Sequence, residues 1–301
     1  MVYLSAVLAA VAAASPDVSA ALQKILDQAH QGPLYDYPTN WRDVPFYSAL
    51  SVGCVSVEAD VWLVGGELLV GHEQSALTPA RTFKSLYIDP ILNVLAHQNP
   101  NSSYTTTKPT YNGVYDTSSG QTLYLFVDVK TDGPSTWPVV VKQLEGLRSK
   151  GYLTSVNETT LISRPVTVVG TGNTPLNLVQ PLTSRDYFWD APIPTLGTTF
   201  SNITSLVSPI ASTDFLSTIG PILNSNSTAT SASDPTNPLN STQLALLRSQ
   251  ISTAHAKGIK LRYWDQPGWP ISTRNAIWKT LVGEGVDLIN VDDLEGAAGE
   301  W

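Results

Sequence analysis

Glu58 and Asp60 stand two residues apart in VSVEADVWL, a stretch that alternates polar and apolar side chains. On a strand that spacing sends both carboxylates to one face, with their Cα atoms about 7 Å apart. Asp128 and Lys130 repeat the pattern in TLYLFVDVK, and His72 closes LLVGH. Carboxylates gathered on an enclosed face are costly unless a cation or a base pairs with them. Three of them, with a lysine and a histidine at strand ends, describe a hard-cation site with an acid/base group beside it. Oxygen donors in that number suit Mg²⁺ better than zinc. Each residue also has a plainer reading. An E-x-D pair is often a solvated face, Lys130 a salt-bridge partner, and His72 a surface histidine. In LRYWDQPGW, Arg262 and Asp265 read as an ion pair and Trp264 and Trp269 as core. The alternative makes Trp264 and Trp269 a substrate wall, with Arg262 in substrate binding beside Trp264. His30, His97 and His255 carry no motif.

The elements that must position these residues alternate in type. Val55–Leu63, Glu67–His72, Thr122–Val129, Val166–Gly170, Tyr187–Ile193, Thr204–Ala211, Ile259–Trp264 and Val286–Val291 read as strands. Phe83–His97, Trp137–Lys150, Thr242–Lys257 and Thr273–Val282 read as helices, the first despite Pro90. Asn99–Gly120 and the Ser/Thr/Asn-rich Ser225–Thr236 read as loops. Buried strands alternating with helices predict a parallel sheet. The number of repeats favours a TIM-like (β/α)₈ barrel, whose sites lie at the strand C-termini. The Gly170-Thr-Gly-Asn turn is too short for a dinucleotide fingerprint.

The chain has 301 residues, 42% hydrophobic and 14% charged, which excludes disorder throughout. Seventeen Lys and Arg against twenty-five Asp and Glu give a net charge of −8, with no basic cluster. That argues against a nucleic-acid partner and against a polybasic membrane anchor. A single cysteine, Cys54, excludes an intrachain disulfide and a multi-cysteine zinc site. The apolar run Val2–Ala14 is shorter than the roughly 20 residues a membrane span needs. Small residues follow it, so residues 1–20 read as a secretory signal peptide; a buried helix is the plainer alternative. Asn101, Asn157, Asn202, Asn226 and Asn240 each begin an N-x-S/T sequon. Together they favour a secreted glycoprotein, with residues 21–301 as one domain.

VSVEADVWLVGGELLVGHE, LFVDVKTDG, RPVTVVGTGN, KLRYWDQPG and LINVDDLEG occur in this order. They resemble the fungal altered inheritance of mitochondria protein 6 family, within the phospholipase-C-like phosphodiesterase superfamily of TIM barrels. The resemblance covers roughly Trp41 to Gly296. It implies that Glu58, Asp60 and Asp128 are Mg²⁺ ligands and His72 a catalytic histidine. It makes Lys130 a phosphate-binding lysine and Trp264 part of the site wall. The implied substrate is a lysophospholipid or glycerophosphodiester, with transient contact to a membrane surface.

The chain departs from the family pattern at one place. The family's first histidine lies in a His-x-His-Asn-Asp-Tyr-like segment ending the first barrel strand, just before the equivalent of Trp41. Here that stretch reads GPLYDYPTN, and nothing from Gln31 to Trp41 reads as a strand. Ala20–Gln31, which contains His30, reads as a helix. The expectation is a barrel lacking its first strand and one histidine, with little or no activity. An inactive barrel that still binds metal and phosphate ester is therefore one alternative, and a secreted glycosidase is another. A glycosidase wants two carboxylates about 5–10 Å apart across a scissile bond, which three clustered acids beside a lysine fit less well.

Overall fold

A computed structural model describes residues 28–29, 42–104, 110–222 and 238–299. In chain order its strands are β1 (Gln28–Ala29), β2 (Ser56–Val64), β3 (Glu67–Val70), β4 (Leu123–Val129), β5 (Ser155–Asn157), β6 (Thr160–Ile162), β7 (Val166–Gly172), β8 (Ser184–Arg185), β9 (Phe188–Trp189), β10 (Ala191–Pro192), β11 (Ile210–Asp214), β12 (Lys260–Trp264) and β13 (Leu288–Val291). One sheet runs β10-β11-β12-β13-β1-β2-β4-β7-β9, with β3 antiparallel on β2. Every other pairing in it is parallel. Its two ends, β9 and β10, are consecutive in the chain and separated by Asp190 alone. A small antiparallel sheet, β6-β5-β8, stands apart. The fold is mixed α/β.

Period-two alternation gives this sheet two different faces. Val57, Ala59, Val61, Val127, Val129, Val166 and Val168 pack against Trp137, Val140 and Ile91 of the covering helices. Ala211, Leu261 and Tyr263 do the same against Leu247, Ile251, Ile277 and Leu281. On the opposite face Phe126, Val169, Phe188, Ile210 and Leu288 form one buried cluster. These five come from β4, β7, β9, β11 and β13, so the sheet curls to enclose that face.

The helices start and stop where their sequences dictate. Asp132 caps Gly133–Gln143 by accepting from the Ser135 amide at 3.0 Å. Asn240 and Gln243 form a reciprocal capping box on Ser241–His255. Ile271–Glu284 ends at Gly285 in the left-handed conformation. Pro90 is tolerated because it lies in the first turn of Asp89–Gln98, after a wider π-type turn over Lys84–Ile88. Among the described residues no helix is long and apolar enough to cross a membrane.

Several sequence expectations change. A two-residue strand, β1, sits between β13 and β2, parallel to both, with Gln28 opposite Asn290 and Ser56; the Gln31–Trp41 stretch, where no strand was expected, lies outside the described residues. The helix expected over Ala20–Gln31 is therefore wrong at Gln28–Ala29. The strand expected over Thr204–Ala211 is Ile210–Asp214, because Thr204–Ser208 closes a turn with Val207 and Ser208 donating to the Thr204 carbonyl. The Tyr187–Ile193 strand is split at Asp190. The expected signal peptide, the rest of the Ala20–Gln31 helix including His30, the whole Ser225–Thr236 loop, and Asn226 lie outside the described residues.

Candidate functional site

The parallel register between β2 and β4 sets Asp60 directly opposite Asp128 and Glu58 opposite Phe126. An oxygen from each of Glu58, Asp60 and Asp128 lies within 4.8 Å of the others. Glu58 is 3% exposed and Asp60 is 0% exposed. Lys130, one turn of the pleat beyond Asp128, donates to Asp128 Oδ2 at 2.6 Å and lies 3.7 Å from Asp60 Oδ2. His72, delivered by the β2–β3 hairpin, places Nδ1 3.0 Å from Asp60 Oδ2. The five residues singled out from spacing thus meet at one point. Asp128 lies near the C-terminal end of β4, Lys130 and His72 lie just beyond β4 and β3, and Glu58 and Asp60 lie in the first half and at the middle of β2.

The electrostatics follow from this crowding. Burial, then the charges of Glu58 and Asp60, push the Asp128 carboxyl up to about 6. The hydrogen bond to Asp60 is the main cause holding the His72 imidazole above its ordinary value. Burial acts to lower the Lys130 pKa, but Asp60 and Asp128 outweigh it and the net shift is upward. The donors are all carboxylate oxygens, closely spaced, and one of them is forced towards its protonated form. That set fits a hard divalent cation.

Gly172, at the end of β7, makes the cluster sterically feasible. Its φ is +61°, and a Cβ there would lie 2.0 Å from Asp128 Oδ1 and 2.8 Å from the Val129 carbonyl oxygen. Gly172→Ala should therefore displace the Asp128 carboxylate and weaken divalent-cation binding by about tenfold or more, read by titration calorimetry. Wild-type affinity in the variant would mean that Asp128 is not a ligand. The sequence showed this glycine only as part of a turn.

Two more buried polar residues were not legible. Arg262 was expected at a substrate wall, but it is 1% exposed. Its Nη2 donates to Glu58 Oε2 at 2.5 Å and to Asn290 Oδ1 at 2.8 Å, and its guanidinium lies 4.6 Å from the Phe126 ring centroid. Asp190, at the break between β9 and β10, accepts a hydrogen bond from Ser212 Oγ. Burial pushes its carboxyl up to about 6 from 3.8, with Arg262 and Ser212 acting in the opposite direction.

A buried acid with a raised pKa favours the folded state when protonated. The folded protein then holds more protons than the unfolded chain between about pH 4 and 6, and this group's contribution to stability falls as pH rises through that window. Asp190→Asn should stabilise the protein above pH 6 by up to about 3 kcal/mol relative to wild type, with little difference below pH 4. Urea unfolding at both pH values reads this difference. A variant with no relative gain at neutral pH would contradict it.

Trp264 ends β12 and is 37% exposed, while Trp269 is 75% exposed in the loop that follows. Asp293 accepts from Arg274 at 2.5 Å and from the Gly296 amide at 2.9 Å, so it is a structural cap. Of the described sequons, Asn101, Asn157 and Asn202 are exposed, and Asn240 is half-buried with its side-chain Oδ1 capping a helix.

Residues 24–190 match the model of the AIM6-like phosphodiesterase domain. That span includes all five clustered residues. The chain belongs to the AIM6-like phosphodiesterase family. An altered inheritance of mitochondria protein 6 homolog of Arthroderma benhamiae is 48% identical over 97% of both chains. Altered inheritance of mitochondria protein 6 of Saccharomyces cerevisiae is 30% identical, over 92% of this chain and 73% of its own. A solved glycerophosphodiester phosphodiesterase from Parabacteroides distasonis aligns with a TM-score of 0.46 and 10% identity, over 90% of this chain and 93% of its own.

Proposed function

We propose that this protein is a Mg²⁺-dependent phosphoric diester hydrolase acting on a lysophospholipid or glycerophosphodiester. The observation that carries the reading is the convergence of Glu58, Asp60, Asp128, Lys130 and His72 at one point of the sheet. Glu58, Asp60 and Asp128 would hold the cation, which supplies polarisation of a phosphoryl oxygen when bound. Lys130 places its ammonium beside the same carboxylates, where it stabilises charge on the equatorial oxygens of the phosphoryl group. His72, oriented by Asp60 and 43% exposed at its side chain, is accessible for proton transfer at the leaving oxygen. Trp264 forms a wall at the mouth of the site. The exposed Trp264 and Trp269, with Ile271 at 49% exposure, support a substrate drawn from a lipid surface.

The sheet supports a (β/α)₈ barrel in which β9 and β10 are one strand interrupted at Asp190, leaving eight positions along the path. In this reading β1 supplies the first strand, and the residue that follows Ala29 in the sequence is His30. Secretion through residues 1–20 and glycosylation at Asn101, Asn157, Asn202, Asn226 and Asn240 complete the proposal.

The test is a substrate panel on the purified chain: lysophosphatidylcholine, glycerophosphocholine and a nitrophenyl glycoside, each with Mg²⁺ and with EDTA. Turnover of a phosphodiester that EDTA stops and Mg²⁺ restores is the expected result. Turnover of the glycoside, or diester turnover indifferent to EDTA, would overturn it. Mg²⁺ binding without turnover of either diester would favour an inactive barrel.

A further inference from the structure

We propose that Arg262 determines which divalent cation the carboxylate cluster accepts, by occupying one oxygen of Glu58. The inference rests on reading that cluster as a metal site. Arg262 comes from β12 and Glu58 from β2, separated along the sheet by β13 and β1. Their contact therefore crosses the enclosed face and is not between ladder neighbours.

The guanidinium is fixed in three ways. Nη2 donates to Glu58 Oε2 at 2.5 Å, and the same nitrogen donates to Asn290 Oδ1 at 2.8 Å. The planar group also lies over the Phe126 ring at 4.6 Å. Arg262 is 1% exposed and Glu58 is 3% exposed, so water does not compete for either partner. A planar, always-charged fork held like this keeps the carboxylate turned towards it.

A carboxylate grips one ion with two oxygens only when both face that ion. With Oε2 directed at Arg262, Glu58 is left as a one-oxygen ligand. Ca²⁺ gathers six to eight oxygens and makes frequent use of two-oxygen carboxylates, whereas Mg²⁺ takes six, keeps several waters and needs few protein ligands. By its geometry Arg262 thus penalises Ca²⁺ more than Mg²⁺. Its positive charge repels both ions alike because both carry two charges. The ratio of the two affinities therefore isolates the geometric effect from the electrostatic one.

Titration calorimetry of the full chain with MgCl₂ and with CaCl₂ separately tests this, on wild type and on Arg262→Gln. Wild type should bind Mg²⁺ more tightly than Ca²⁺. Arg262→Gln should raise the Ca²⁺ affinity relative to Mg²⁺ by about tenfold or more, whatever happens to the absolute values. A folded Arg262→Gln with the wild-type ratio overturns the role of Arg262 and leaves the metal site standing. A folded wild type that binds neither ion overturns both. Should circular dichroism show Arg262→Gln unfolded, Arg262→Lys, which keeps the charge and loses the planar fork, decides instead: a raised Ca²⁺ affinity relative to Mg²⁺ supports the proposal, and the wild-type ratio overturns it.

Discussion

Asp60→Asn is expected to weaken Mg²⁺ binding by about 100-fold or more, since even second-sphere changes at metal sites reach that range. Asp60 is the hub of the cluster. It lies opposite Asp128 in the register, accepts from His72 at 3.0 Å and stands 3.7 Å from the Lys130 ammonium. The amide keeps the size of the side chain and one acceptor oxygen, while removing the charge. Circular dichroism should stay near wild type, because three crowded acids repel one another without the ion and loss of one charge relieves that. Calorimetry gives the answer directly. An unchanged Mg²⁺ affinity would remove Asp60 from the ligand set and the cluster from the account.

His72→Asn should lower kcat by about 10²-fold or more, the usual contribution of a positioned proton-transfer group. The asparagine amide can still donate to Asp60 from near the position of Nδ1, so Mg²⁺ affinity should change little. This split separates proton transfer from support of Asp60. A fall in metal affinity that accounts for the whole loss would make His72 a positioning residue. A variant as active as wild type would make it a surface histidine.

The parts of this site that the sequence revealed are those set by local geometry. Glu58 with Asp60, and Asp128 with Lys130, are legible because a strand repeats every two residues and the apolar residues between them fix which face is helix-covered. What the sequence hid depends on contacts far apart along the chain. Arg262 meets Glu58 across 204 positions, and only the curl of the sheet brings them together. Asp190 was lost within an aromatic run, because one buried polar residue between two short strand segments leaves no periodic signal. Gly172 is required by the space Asp128 occupies, which no local pattern reports. The first strand was missed for a related reason. Two residues, Gln28 and Ala29, carry no alternation, and their strand character comes from the neighbours β13 and β2 that pair with them.

The most direct measurement is a phosphorus NMR time course of lysophosphatidylcholine with the purified, folded chain. In Mg²⁺ the diester resonance should decline as a single product resonance grows, a phosphomonoester for hydrolysis or a cyclic phosphate for internal transfer, and EDTA should halt both changes at once. A diester resonance that persists unchanged beside folded protein with Mg²⁺ bound would contradict the assignment of this site to phosphodiester chemistry.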